Sequence, residues 1–140
     1  MMGKMIIPQE VVSFFKEVPI MALATADNNG IPNVVAIASK IIIDDNTIIT
    51  IDTFHEKTIR NIKQNPYVSI GMWKDSVGYQ IVGKAKYYTK GKVFDDGKEW
   101  ILKLKPQKIV KGVIEITVTN VYYLTPDYEL AGKNVVDNMA

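Results

Sequence analysis

A chain of 140 residues, 47% of them apolar, can fill one core but not two, so residues 1–140 read as a single domain. The absence of cysteine excludes disulfides, thiolate metal sites and a thiol nucleophile, and it agrees with a reducing, cytoplasmic setting. The net charge is +2 and Arg60 is the one arginine among 17 basic residues, which leaves few forked donors for phosphates and base edges; no nucleic-acid partner is expected.

The apolar N-terminal stretch is interrupted by Lys4, Gln9, Glu10 and Lys16, which argues against a signal peptide or a membrane span, and no membrane partner is expected. Pro8, Gln9 and Glu10 suit the first turn of a helix whose Val11, Phe14, Phe15 and Val18 share one face, and Pro19 ends it. From Ile20 the period changes. IMALATA, the turn DNNG and the run NVVAIASKIII predict a β-hairpin, and a third strand follows over residues 47–52 after the turn at Asp44, Asp45 and Asn46. EKTIRNIKQN predicts a short amphipathic helix, with Ile59 and Ile62 on one face and Asn65 and Pro66 at its end.

Two more strands, YVSIGMWK and YQIVGKAKYYT, are joined by DSVG, and Gly83 inside the second marks a bulge or bend. KVFDDGKEWILKLK has helical spacing despite Gly97, which costs about 1 kcal/mol relative to alanine. In GVIEITVTNVYYL, Ile114, Ile116 and Val118 alternate with Glu115, Thr117 and Thr119, the pattern of a half-buried antiparallel strand. The tail after Pro126 has no strong period. Six strands with three short helices, in an order that does not alternate as a parallel α/β protein would, predict a mainly β (α+β) fold: an antiparallel six-stranded barrel with helices plugging its ends.

Among candidate sites the junction IDTFHEKTIRN stands first, because it ends a strand and opens a helix at Lys57 and Thr58. Free backbone N–H groups and the positive dipole end there favour an anion, and a lysine and a hydroxyl add charge and a donor. Such residues more often simply cap a helix, a role open to Thr53 or His55. In NVVAIAS, Ala36 and Ala38 share a face beside Lys40, so a planar ring could lie along the strand with Asn33 and Ser39 nearby; ordinary core packing is the alternative. Trp73 and Tyr79 bracket the DSVG turn, where they could reach a neighbouring subunit. With His55 the single histidine and no ligand spacing among the acids, neither a metal site nor a Ser-His-Asp triad is expected.

The order of these motifs resembles the pyridoxamine 5'-phosphate oxidase-like family of FMN-binding split barrels. The resemblance runs from about Pro19 to Lys133 and rests on LATADNNGIPNVVAIAS, FHEKTIRNIKQNPYVSI, GYQIVGKA and the late AGK. It implies FMN held at a homodimer interface, with the flavin contacted by Val35, Ala36, Ile37 and Ser39, by Asp52 and Thr53 at the next strand end, and by Lys57 and Thr58 at the phosphate. Trp73 and Tyr79 would come from the partner subunit. The flavin would carry hydride or single-electron chemistry, and no side chain need act as acid or base. The vitamin B6 oxidases of the family carry arginines for flavin and substrate phosphate, whereas Glu56 stands beside Lys57 here and Arg60 is alone, so oxidation of pyridoxamine phosphate is not expected. The alternatives are the same barrel binding a deazaflavin or haem, with His55 as the possible haem ligand, or a non-enzymatic barrel that binds single-stranded nucleic acid or another partner.

Overall fold

The structure is a computed structural model that describes residues 5–138. Helix α1 (Gln9–Glu17) leads into β1 (Met21–Ala26), β2 (Pro32–Ile37), β3 (Lys40–Ile42) and β4 (Thr47–Asp52). Then come α2 (Glu56–Gln64), β5 (Tyr67–Lys74), β6 (Val77–Tyr88), α3 (Lys92–Leu104), β7 (Gly112–Tyr123) and α4 (Val135–Asn138). All seven strands lie in one antiparallel sheet, in the order β2-β1-β5-β6-β7-β4-β3.

The mainly β, α+β class is as expected, but the strand count is seven rather than six because the run from Asn33 to Ile43 is not one strand. It breaks at Ala38 and Ser39. The Ser39 carbonyl accepts hydrogen bonds from the Ile51 amide (3.1 Å) and the Thr50 hydroxyl (2.9 Å), which turns the chain onto β4. β2 and β3 therefore occupy opposite edges of the sheet although only two residues separate them. Consecutive Cα atoms are about 3.8 Å apart, so the sheet has to curl until its two edges approach each other. The result is a split barrel, closed by the chain crossing from edge to edge rather than by a hydrogen-bonded ladder.

Period-2 alternation fills the interior: Met21 and Leu23 from β1, Val68, Ile70 and Met72 from β5, and Ile114, Ile116 and Val118 from β7 are all buried. Helices α1 and α2 pack at separate points along β6 and add to the same core. At the start of β6, Tyr79 meets α1, with the Phe14 ring edge-on at 5.2 Å and the Tyr79 hydroxyl donating to Glu10 at 2.8 Å. Toward the other end of the same strand, the Ala85 amide donates to the Pro66 carbonyl just past α2, whose Ile59 and Ile62 join the same core.

The third helix lies outside the barrel on β4 and β7, where Ile101 packs with Ile49, Ile51 and Val113 in a second cluster. Gly97 is the point of closest approach: a Cβ there would stand 2.8 Å from Val113 Cγ2. The residue that weakens the helix by propensity is what lets it seat. The anticipated irregularity at Gly83 is present as a register shift between Val82 and Gly83 against β7. The β5–β6 turn is tighter than DSVG implied, for Lys74 pairs with Val77 and Asp75 takes a positive φ of 56°, as a two-residue hairpin loop requires.

Candidate functional site

The β1–β2 hairpin and α2 enclose a groove of about 300 Å³ lined by Asp27, Ile31, Asn33, Lys57, Arg60, Asn61 and Gln64. The helix contributes residues 57, 60, 61 and 64, an i, i+3, i+4, i+7 set that necessarily shares one face. Side-chain amides pin that face to the sheet. Asn33 Nδ2 donates to Thr58 Oγ1 at 3.1 Å, Asn61 Nδ2 donates to Thr25 Oγ1 at 3.0 Å, and Gln64 Oε1 accepts from the Asn28 amide at 3.2 Å. Asp27 is occupied in its own turn, accepting from the amides of Asn29 and Ile31. Among the described residues the ion pairs are Lys92–Asp96 and Lys103–Glu99, so Lys57 and Arg60 enter the groove without a carboxylate partner.

The strand-to-helix junction is held from below. Asp52 is buried, and its carboxylate accepts from the His55 amide (2.7 Å) and from the Tyr87 hydroxyl (2.6 Å). Burial and that carboxylate push the Tyr87 phenol well above the usual tyrosine range. No side chain caps α2, leaving the amides of its first turn open to an acceptor. His55 is half-buried; burial lowers its imidazole pKa, Asp52 partly restores it, and Lys108 lowers it again.

The expected site residues divide by face. Lys57 is exposed and lines the groove, whereas Thr58 is fully buried with its hydroxyl engaged by Asn33. On β2, Ala36 faces outward while Val35 and Ile37 turn toward the core. β2 pairs only with β1, so its other edge offers free backbone groups. Ser39 and Asp52 are buried, Ser39 at the edge crossing, where its hydroxyl accepts from Lys105 Nζ at 3.0 Å. Thr53 does not cap the helix; it donates to the Ile109 carbonyl at 2.6 Å and ties the junction to the α3–β7 loop. Trp73 is 60% exposed and Tyr79 only 6%, so the turn they bracket presents Trp73 alone. Arg60, Asn61 and Gln64 were missed, though their helical spacing from Lys57 was a usable signal; the pairing of Asp52 with Tyr87, 35 residues away, left none.

The outer face of β2 and β1 is small and apolar, and β5 continues it with Ser69, Gly71 and Trp73. Ala22 pairs with Ala36 and Gly71, Ala24 pairs with Val34, and Val34, Ala36 and Trp73 are exposed.

The fold is an antiparallel split barrel with a cation-lined groove beside the free edge of β2. The sequence model of the pyridoxamine 5'-phosphate oxidase family matches residues 7–125, and the chain belongs to that family. Uncharacterized protein MJ0282 of Methanocaldococcus jannaschii is 38% identical over 109 residues, 75% of this chain and 72% of that one. HupZ of group A Streptococcus superposes with a TM-score of 0.78 at 26% identity, covering 91% of this chain and 98% of its own. An FMN-binding protein of Syntrophomonas wolfei (TM-score 0.70, 19% identity, 81% and 83% coverage) shares the fold. So does HutZ, the haem storage protein of Vibrio cholerae (TM-score 0.65, 16% identity, 85% and 95% coverage). Among the described residues no helix is long and apolar enough to cross a membrane, and no group of acids and histidine is placed to hold a metal ion.

Proposed function

We propose that the protein is a cytoplasmic, homodimeric FMN-binding flavoprotein, an oxidoreductase or electron carrier. The observation that carries this reading is the groove along α2, where Lys57 and Arg60 have no ion-pair partner among the described residues. The donor set fits a phosphate monoester: an ammonium, a guanidinium, uncapped amides at the positive end of a helix dipole, and the Asn33 amide. Beside it, the unpaired edge of β2 and the small side chain of Ala36 leave room for a flat ring to take backbone hydrogen bonds at Val35 to Ile37.

Bound there, FMN would supply hydride or single-electron transfer. The chain's own part is to bind and orient. Lys57 and Arg60 neutralise the phosphate, Asp52 and Thr53 hold the junction that presents Lys57, and Thr58 locks the helix to β2 through Asn33. An uncovered apolar sheet face supports burial against a second copy, with Trp73 as the large side chain available to it.

The test is the colour of the purified protein, with one FMN released per chain on denaturation, followed by titration of the apoprotein. Lys57→Ala removes a charge-assisted contact of about 1.5–3 kcal/mol, so FMN affinity falls about tenfold or more. Unchanged affinity overturns the assignment. Haem is the second reading, supported by the likeness to HutZ and by His55, whose lowered pKa keeps the imidazole neutral and able to ligate iron. A Soret band in place of flavin absorption, lost in His55→Ala, would select it.

A further inference from the structure

The groove along α2 has two unlike ends, and side-chain hydrogen bonds fix which is which. Asn33 on β2 reaches Thr58, next to Lys57 in the first turn of the helix. Its cross-strand partner Thr25 meets Asn61, and the Asn28 amide in the hairpin turn meets Gln64 in the last turn. The strand start therefore faces the beginning of α2 and the turn faces its end. Residues 57 and 64 are about 10 Å apart along the axis at the rise of an α-helix. Lys57 and Arg60 line the first half of that length, Asn61 and Gln64 the second.

The turn also brings a carboxylate to the groove. Asp27 lines it, and its Oδ1 is held by the amides of Asn29 at 2.8 Å and Ile31 at 3.0 Å. No cation lies within ion-pair distance of Asp27 among the described residues. The negative end of the helix dipole falls at the same end. Lys63, the basic residue of that last turn, is no part of the groove and sits over the Tyr87 ring at 5.7 Å. The groove thus runs from two cations to a fixed carboxylate.

On the flavin assignment, on which this inference rests, the ring lies at Val35 to Ile37 and the phosphate at Asn33, Lys57 and Arg60. Going back along β2, the next lining residue is Ile31, beside Asp27. FMN ends at its phosphate, a monoester that holds nearly two negative charges against the cations. In FAD the same phosphate is a diester. It keeps one charge, and the other sits on a second phosphoryl group one step further toward Asp27, followed by the adenosine.

We propose that Asp27 is the selectivity residue of this groove, its carboxylate restricting the site to flavins that end in a phosphate monoester. The apoprotein is titrated calorimetrically with FMN and with FAD, and FMN binds about tenfold more tightly or better. Asp27→Asn, whose side-chain oxygen still accepts the two turn amides, raises FAD affinity about fivefold more than FMN affinity. Gln64→Glu keeps the acceptor for the Asn28 amide and adds a charge at the same end, so the preference for FMN widens. Added salt shrinks both shifts. Two near-isosteric changes that move the FMN-to-FAD ratio in opposite directions report charge, which a loss of structure would not. Failure of both flavins to bind overturns the flavin assignment, and this proposal with it. Tight FMN binding with equal affinity for FAD, or an unchanged ratio in Asp27→Asn, overturns the proposal alone.

Discussion

Strands β4 and β2, toward opposite ends of the sheet order, are built from the same alternating pattern yet finish in different states. On β4 every residue is buried, because α3 lies across its outer face and converts Ile49 and Ile51 into a second core. On β2 the outward residues stay bare, with Val34 64% exposed and Ala36 beside it. An amphipathic strand specifies only which of its faces is turned inward; whether the other meets water, a helix or another molecule depends on what the rest of the chain brings to it. Here the covered end carries stability and the bare end carries the free edge and the cationic groove.

The largest effect that tests this contrast is Ile101→Ala. It removes the anchor of α3 at a site 1% exposed and should cost about 2–5 kcal/mol in denaturant unfolding, as large-to-small core changes do. A loss under about 1 kcal/mol would mean that α3 merely rests on the sheet. Tyr87→Phe comes next: it strips a buried Asp52 oxygen of its donor, a cost of about 1–3 kcal/mol, and loosens the junction that presents Lys57. FMN affinity should fall with it, by less than in Lys57→Ala.

Smaller still is a pH effect at the same junction. The folded pKa of His55 lies below its ordinary 6.5, so a proton prefers the unfolded chain. Its contribution to stability is fully present above that ordinary value and is lost as pH falls through the lowered one. Unfolding midpoints compared between pH 7 and pH 5 should show a decline in the native protein that His55→Gln reduces. Last, Val34→Ala at the bare end should change monomer stability by no more than about 0.5 kcal/mol. Val34→Glu, which places a charge in the proposed self-contact, should shift the oligomeric state toward monomer in sedimentation. A Val34→Ala loss as large as that of Ile101→Ala would erase the contrast between the two ends.

Much of the fold was legible because period and punctuation are local. The alternation of Ile114, Ile116 and Val118, the bulge at Gly83 and the three longer helices all stand where the pattern put them. The groove was legible in part: Lys57 opens a helix as expected, and the residues that complete its face follow at helical spacing. Thr58 and Tyr79 were harder. Their hydroxyls point toward Asn33 and Glu10, partners 25 and 69 residues away that no local pattern names.

What the amino-acid order determined by itself is the set of elements, the inward face of each strand, and the placing of a lysine at the start of a helix, since all of these follow from interactions within a few residues. What only the tertiary structure decided is where that order is interrupted and what the interruption joins. The run from Asn33 to Ile43 is uniformly strand-like, and it breaks at Ser39 because the Ser39 carbonyl finds donors on β4, a contact that exists only once the sheet has curled. The same crossing brings Lys40 and Lys105 together, because barrel closure brings distant parts of the chain within a hydrogen bond's reach.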